Sequence, residues 1–384
     1  MTTHWFESDL EEQRQLDRLR TPRTLRYRDS THATLDGREV TVFCSNDYLD
    51  LRSDPRLRAA ADRAVAEESF GSGASRLVSG DLPIFVSAEA DFAAWVGAEA
   101  SLFFSSGFAA NVGVVPTLGG ADDVLFSDAL NHASLVDGCR LSRARTVVFE
   151  HGSIAALERA VASARPFRRG WVLTESVFSM DGDMAPLVEL RALCDREMLG
   201  LYVDEAHGIG VLDDTGRGAC VAVGMRPDVL IGTAGKSLGT AGAFVAGSRA
   251  LRSWLWNRSR SFVFSTGPSV ANAAAVREAI SIVRREPQHI AALRRNTTAL
   301  RSALSRSGVR VLGHQQSPIL PIVLGDERSA VSASDRLLEQ GFFVSAIRPP
   351  TVPRGTSRLR ITVSARHSLD EITALAKALE PFGQ

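Results

Sequence analysis

Lysine is nearly missing from this chain. Among 384 residues there are 44 basic ones, and only Lys236 and Lys377 are lysines; the other 42 are arginines. Arginine stays protonated in proteins, so chemistry that needs a deprotonatable amine side chain has two candidates. Net charge is missing too, because 44 acidic residues cancel the basic ones. That argues against a nucleic-acid-coating protein, which draws its affinity from a basic excess. No run of 18 apolar residues occurs, so no membrane span is expected. The opening, Met1-Thr2-Thr3-His4-Trp5-Phe6-Glu7-Ser8-Asp9, lacks a basic segment followed by an apolar one, so no signal peptide is expected. Cys44, Cys139, Cys194 and Cys220 are far apart, which predicts reduced thiols of a cytoplasmic protein rather than disulfides or zinc ligands. The eight histidines include no His-Glu-x-x-His pair, so no metal site is expected.

What is present is a regular alternation. The first twenty residues carry apolar points at Phe6, Leu10, Leu16 and Leu19, a pattern that suits an amphipathic arm. After Asn46, short apolar runs at 102–104, 124–126, 147–149, 171–173, 201–203 and 229–231 alternate with amphipathic stretches at 107–118, 132–142, 153–164 and 187–198. Near-continuously apolar strands separated by helices predict a mostly parallel sheet covered on both faces, an α/β fold. From about 266 the style changes to helical patterns at 269–285 and 289–306, β-rich runs near 319–323, 342–347 and 358–363, and a helix near 368–380. The expected division is an arm with a short β segment over 1–45, a large domain over 46–265 and a smaller α+β domain over 266–384.

Chemistry in an open parallel sheet collects at the carboxyl ends of its strands. Those ends carry Ser105-Ser106-Gly107-Phe108, Ser127-Asp128, Glu175-Ser176, Asp204-Glu205-Ala206-His207 and Thr233-Ala234-Gly235-Lys236. Three readings compete for them. The Asp204–His207 box matches that of helicases, but a phosphate loop ending at Gly235-Lys236-Ser237 needs glycine where Leu230 stands, and the order is inverted. Gly235-Lys236-Ser237-Leu238-Gly239 matches the nucleophile elbow of serine hydrolases, with Asp326 and His367 as triad partners in chain order. The third reading uses Lys236 to attach pyridoxal 5′-phosphate (PLP) covalently. Asp204 then keeps the ring nitrogen protonated, His207 reaches the phenolic oxygen and His132 supplies a flat partner for the ring. Ser106-Gly107-Phe108 opens a helix suited to a phosphate, and Ser179, Thr233 and Thr266 offer hydroxyls. With one internal lysine, this reading is favoured.

The motifs also carry a resemblance. Ser45-Asn46-Asp47-Tyr48-Leu49, Gly71-Ser72-Gly73-Ala74-Ser75-Arg76, Ser106-Gly107-Phe108-Ala109-Ala110-Asn111 and His132-Ala133-Ser134-Leu135 stand in order before Ser179-Met180-Asp181-Gly182-Asp183, Asp204-Glu205-Ala206-His207-Gly208 and Gly235-Lys236-Ser237-Leu238-Gly239. Over essentially its whole length the chain resembles the α-oxoamine synthases among the fold-type-I PLP enzymes. These condense an amino acid with an acyl thioester and release carbon dioxide. Ile347-Arg348-Pro349-Pro350-Thr351-Val352-Pro353 and Gly355-Thr356-Ser357-Arg358-Leu359-Arg360 resemble the branch that makes 8-amino-7-oxononanoate in biotin synthesis. That implies L-alanine and pimeloyl-CoA, or pimeloyl-acyl carrier protein, as substrates; the glycine C-acetyltransferase and 5-aminolevulinate types are the alternatives within the family. The resemblance further implies that Lys236 moves the α-proton and that Arg360, with Asn46, binds the amino-acid carboxylate. Arg20, His132, Arg348 and Thr351 fall at substrate-contact positions. It implies a homodimer in which Thr266 reaches the partner's phosphate. Phe85 stands where the family usually has histidine, Ser176 where glycine is common and Gly152 where asparagine is common. For Phe85, packing and acyl-chain contact are both open readings.

Overall fold

The computed structural model describes residues 3–383. Met1, Thr2 and Gln384, at the outer limits of the expected arm and small domain, lie outside the described residues. Contacts divide the chain into two units. The large one holds Leu49–Ser179 and Met184–Ala291; the small one holds the chain up to Tyr48, Met180–Asp183 and the chain from Ala292.

Among the described residues fourteen strands are numbered in chain order. β1 (Leu25–Tyr27), β2 (His32–Leu35) and β3 (Arg38–Val42) belong to the small unit. β4 (Ala100–Phe104), β5 (Val124–Asp128), β6 (Arg145–Phe149), β7 (Gly170–Glu175), β8 (Gly200–Asp204), β9 (Val229–Thr233) and β10 (Ala243–Gly247) belong to the large unit. β11 (Ile319–Gly325), β12 (Phe342–Phe343), β13 (Ser345–Ile347) and β14 (Ser357–Thr362) return to the small unit.

The large unit is built on one seven-stranded sheet in the order β4-β10-β9-β8-β7-β5-β6. The five strands β6, β5, β7, β8 and β9 run parallel, and β10 runs antiparallel to both of its neighbours. Every residue of β5, β9 and the β8 segment Leu201–Asp204 is buried, as expected of strands covered on both faces. The amphipathic stretches become helices Gly107–Val114, Ala133–Leu141, Ile154–Ala164 and Leu187–Glu197. Leu102, Phe104, Leu125, Leu173, Tyr202 and Ile231 lie in one core cluster with Ala110, Val114 and Leu135 from two of those helices.

The small unit carries two sheets, β1-β2-β3-β12 and β11-β14-β13. The 342–347 run therefore splits: β12 joins β3 in parallel, while β13 pairs antiparallel with β14. The last helix, Leu369–Leu379, starts with a capping box in which Ser368 and Glu371 each bond the other's backbone N–H. The expected boundary near 266 differs from the structure in one element. Helix Val270–Arg285 packs on helices Pro55–Glu67 and Pro83–Val96 and so belongs to the large unit. The arm forms helix Thr3–Gln15, with Trp5, Phe6 and Leu10 exposed. Among the described residues, no helix is long and apolar enough to cross a membrane.

Candidate active site

The strand ends of the large unit place an amine, an imidazole and a carboxylate close together. β9 ends at Thr233, and the turn toward β10 carries Lys236, whose Nζ lies 2.9 Å from His207 Nε2. Asp204 closes β8, with Glu175 of β7 and Ile231 of β9 in register on either side. It is 5% exposed; its Oδ1 accepts from Ala206 N at 2.9 Å and its Oδ2 from Asn111 Nδ2 at 2.7 Å. Burying a carboxylate costs several kcal/mol unless such donors replace water. Glu205, the next residue, has a different task. It is fully buried and accepts from Ser176 Oγ at 2.7 Å, Ala219 N at 3.0 Å and Cys220 N at 2.6 Å. A Cβ at Gly208 would lie 1.8 Å from Glu205 Oε2, so the glycine makes room for this anchor. The acidic box is thus split between an acid facing the strand ends and an acid that ties down the following loop.

His132 caps helix Ala133–Leu141, its Nδ1 accepting from Ser134 N at 3.3 Å and lying 2.8 Å from Ser134 Oγ. Its backbone N–H donates to Glu175 Oε1 at 2.6 Å. The residue is exposed on its outer side, yet desolvation of the ring, with Lys236 adding to it and Asp204 opposing, holds its pKa below the usual value. Glu175 is pushed up to about 8, first by complete burial and then by the neighbouring Asp204 charge.

Ser106 caps helix Gly107–Val114 by accepting from Ala109 N at 3.0 Å, and Ser106 and Phe108 are exposed. A Cβ at Gly107 would sit 3.7 Å from Thr233 Oγ1, so a helix start with unpaired N–H groups and a buried hydroxyl share one corner. Ser179 stands half-buried on the turn after β7. Thr266 is exposed and forms an isolated antiparallel bridge with Ser75, beside the 71–76 glycine-rich loop. Phe85 is fully buried: its ring packs at 6.4 Å from Phe103, and the Arg76 guanidinium sits 5.0 Å from its centroid. The packing reading of Phe85 holds. Lys377 is exposed on its helix.

In the small unit, Arg360 is buried in β14 and both of its terminal nitrogens approach Asn46 Oδ1 at 3.4 Å. Tyr48 also donates to Asn46 Oδ1, at 3.2 Å. Arg358, two residues earlier on β14, pairs with Asp181. Arg20 donates to Thr351 Oγ1 at 3.1 Å, and Arg348 donates to the Leu19 carbonyl at 3.1 Å. Burial and the nearby Arg20 charge hold the Arg348 pKa below its usual value.

The hydrolase reading fails on geometry. The turn bearing Ser237 leads into β10 rather than into a helix, and Ser237 is buried with its hydroxyl on the Ile209 carbonyl. His367 accepts from Ser364 N at 2.9 Å through Nδ1 and meets the Val42 carbonyl at 3.2 Å through Nε2, which leaves neither nitrogen for a serine. Asp326 caps helix Glu327–Glu339. The donors suit PLP instead: a buried carboxylate for a ring nitrogen, a helix start beside a hydroxyl for a phosphate, and an amine within reach of an imidazole. Tyr202, Asn111, Ser134 and Glu175 were not given roles by sequence reasoning, although all four join this site. The available signal was a tyrosine inside an apolar strand run and an asparagine one helical turn past Gly107.

Comparison with known proteins agrees. The model of the family "Aminotransferase class I and II" matches residues 38–379. An 8-amino-7-oxononanoate synthase of Anaeromyxobacter sp. (strain Fw109-5) is 49% identical over 90% of this chain and 87% of its own length. The enzyme of that name from Geobacter sulfurreducens is 43% identical over 100% of this chain and 98% of its own. A lysine-to-alanine variant of serine palmitoyltransferase from S. paucimobilis, solved with a PLP–myriocin aldimine bound, superposes with a TM-score of 0.94 at 27% identity, covering 99% of this chain and 97% of that one. An 8-amino-7-oxononanoate synthase from Francisella tularensis gives 0.76 at 26% identity, covering 89% and 97%. The chain belongs to the class I and II aminotransferase family and, within it, to the α-oxoamine synthases.

Proposed function

We propose that this protein condenses L-alanine with pimeloyl-CoA, or with pimeloyl-acyl carrier protein, to give 8-amino-7-oxononanoate, carbon dioxide and the free thiol carrier. The observation that carries the reading is the pairing of Lys236 Nζ with His207 Nε2 at 2.9 Å, beside a buried Asp204, in a chain whose relatives at 43% and 49% identity bear that enzyme's name. PLP supplies an electron sink that stabilises negative charge at the alanine Cα.

The chain's own residues do the rest. Lys236 is the attachment point, and its amine takes the proton from the alanine Cα; neither task can fall to an arginine, which stays protonated. His207 orients that amine and the cofactor's phenolic oxygen. Asp204, held by Asn111 and Ala206, keeps a proton on the ring nitrogen. His132 covers one face of the ring and contacts the substrate. Ser106, Gly107, Phe108, Ser179 and Thr233 hold the cofactor, chiefly at its phosphate. Arg360 and Asn46 take the alanine carboxylate, Arg360 through a two-pronged contact. Arg20, Arg348 and Thr351 contact the acyl substrate.

The active form is a cytoplasmic homodimer with Thr266 on the partner's phosphate. Support comes from the surface around Thr266, where Phe70, Val78 and Phe264 of the same unit are 77%, 80% and 74% exposed. Large apolar side chains left this exposed suit a contact face.

The test is catalytic. PLP-loaded protein given L-alanine and pimeloyl-CoA should release free CoA and form the nine-carbon amino ketone. Release of CoA with glycine in preference to alanine would redirect the assignment to another α-oxoamine synthase, and no thiol release with either amino acid, from pimeloyl-CoA or from pimeloyl-acyl carrier protein, would refute it.

A further inference from the structure

Behind His132 lies a set of polar groups whose donor and acceptor roles fix one another. Tyr202 Oη meets Asn111 Oδ1 at 2.6 Å, and Asn111 Nδ2 lies 2.7 Å from Asp204 Oδ2 and 2.8 Å from Ser134 Oγ. Ser134 Oγ in turn lies 2.8 Å from His132 Nδ1. Asn111, Ser134 and Tyr202 are each at most 1% exposed, so an unmatched donor or acceptor there would bear its full desolvation penalty.

The directions follow in order. Turning the Asn111 amide over would set its oxygen against the Asp204 carboxylate, so the amide nitrogen faces Asp204 and donates also to Ser134 Oγ. That leaves the Ser134 hydroxyl proton to be donated, and His132 Nδ1 is the acceptor beside it. The Ser134 backbone N–H points at the same nitrogen, and a backbone N–H can only donate. Two donors converge on Nδ1, so that nitrogen holds no proton. Glu175 fixes the same residue from its other side by accepting the His132 backbone N–H.

We propose that Asn111 and Ser134 are positioning residues: they lock the His132 imidazole as its neutral, Nε2-protonated tautomer and couple its orientation to Asp204. The proposal rests on the reading above that His132 covers the cofactor ring. A neutral imidazole avoids like-charge repulsion against a ring whose nitrogen Asp204 keeps protonated, and one network then sets both groups. The depressed pKa of His132 agrees with this.

The test is ¹⁵N magnetic resonance of histidine-labelled protein, with and without PLP, the His132 signals being those absent from His132→Gln. The expected spectrum at neutral pH has a pyridine-type Nδ1 and a pyrrole-type Nε2 in both forms. Ser134→Ala should shift the Nδ1 signal toward that of an unbonded pyridine-type nitrogen, and Ser134→Thr should restore it. A pyrrole-type Nδ1 or an imidazolium in the wild type would overturn the proposal, as would an unmoved Nδ1 in Ser134→Ala. The cofactor-free spectrum reports the relay alone, so a correct tautomer in a protein that develops no visible band with PLP contradicts the proposed function and leaves the relay standing.

Discussion

The strand ends of the large unit enclose acids, whereas the small unit encloses arginines; the large unit's own buried Arg76 is paired with Asp81 and Glu89. Glu175, Asp204 and Glu205 are enclosed in the first; Arg301, Arg358 and Arg360 are enclosed in the second. Their supports differ to match. The acids are met by backbone N–H groups of His132, Ala206, Ala219 and Cys220, the Asn111 amide and the Ser176 hydroxyl. The arginines are met by oxygens: Arg301 donates to the carbonyls of Leu312, Ser317 and Ile319, and Arg358 to Asp181 and the Met180 carbonyl. Desolvation pushes one member of each set toward its uncharged form, raising Glu175 to about 8 and lowering Arg301 to about 10. Each unit thus holds, at a real cost, the charge opposite to the group assigned to it: a carboxylate for a protonated ring nitrogen, a guanidinium for an amino-acid carboxylate.

Removing one charge from each unit should separate their tasks. Asp204→Asn should lower kcat by roughly 10³-fold, the scale of losing a preorganised electrostatic partner, while leaving the alanine KM within a few-fold. Arg360→Lys should do the reverse, raising the alanine KM by about 10–100-fold through loss of the two-pronged contact and leaving the cofactor's visible band in place. Steady-state kinetics with both variants read this split; equal effects on KM and kcat in the two would erase the distinction.

The comparison extends to pH. Glu175 binds its proton more tightly folded, at about 8, than its ordinary 4.5, so the native state holds more protons than the unfolded one between those values. Stability of the cofactor-free protein should therefore fall as pH rises through that window, by up to about 1.4 kcal/mol per pH unit. His367 in the small unit behaves oppositely. Burial lowers it to about 4 from 6.5, so its contribution is present above 6.5 and lost as pH falls toward 4. Urea unfolding across pH should show Glu175→Gln removing the fall in stability between pH 4.5 and about 8, and His367→Gln removing the loss on acidification between pH 6.5 and about 4. The smallest effect expected is at Phe85. Phe85→Leu should cost about 1 kcal/mol by chemical denaturation and leave the KM for pimeloyl-CoA unchanged, because the ring packs on Phe103 under Arg76.

The sequence exposed the chemistry at strand ends more readily than the network that holds it. Ser106, Asp204, Thr233 and Lys236 were legible because an apolar parallel strand announces where it stops. Asn111, Ser134 and Tyr202 come from two helices and a strand, and no local pattern says that their side chains meet. The strand Ala243–Gly247 escaped for another reason: its alanine- and glycine-rich run carries little β signal, and its antiparallel course breaks the strand–helix alternation. Nor does spacing reveal that Met180–Asp183 joins the small unit, where Asp181 pairs with Arg358 and the Gly182 carbonyl accepts from His314 N at 2.9 Å.

The scarcity of lysine makes the central claim unusually direct to test. Borohydride reduction of the PLP-loaded protein, followed by peptide mapping, asks which of two amine side chains carries the cofactor. The label is expected on the peptide containing Lys236, with none on that containing Lys377. Label on Lys377, or no stable label on either, would contradict the claim.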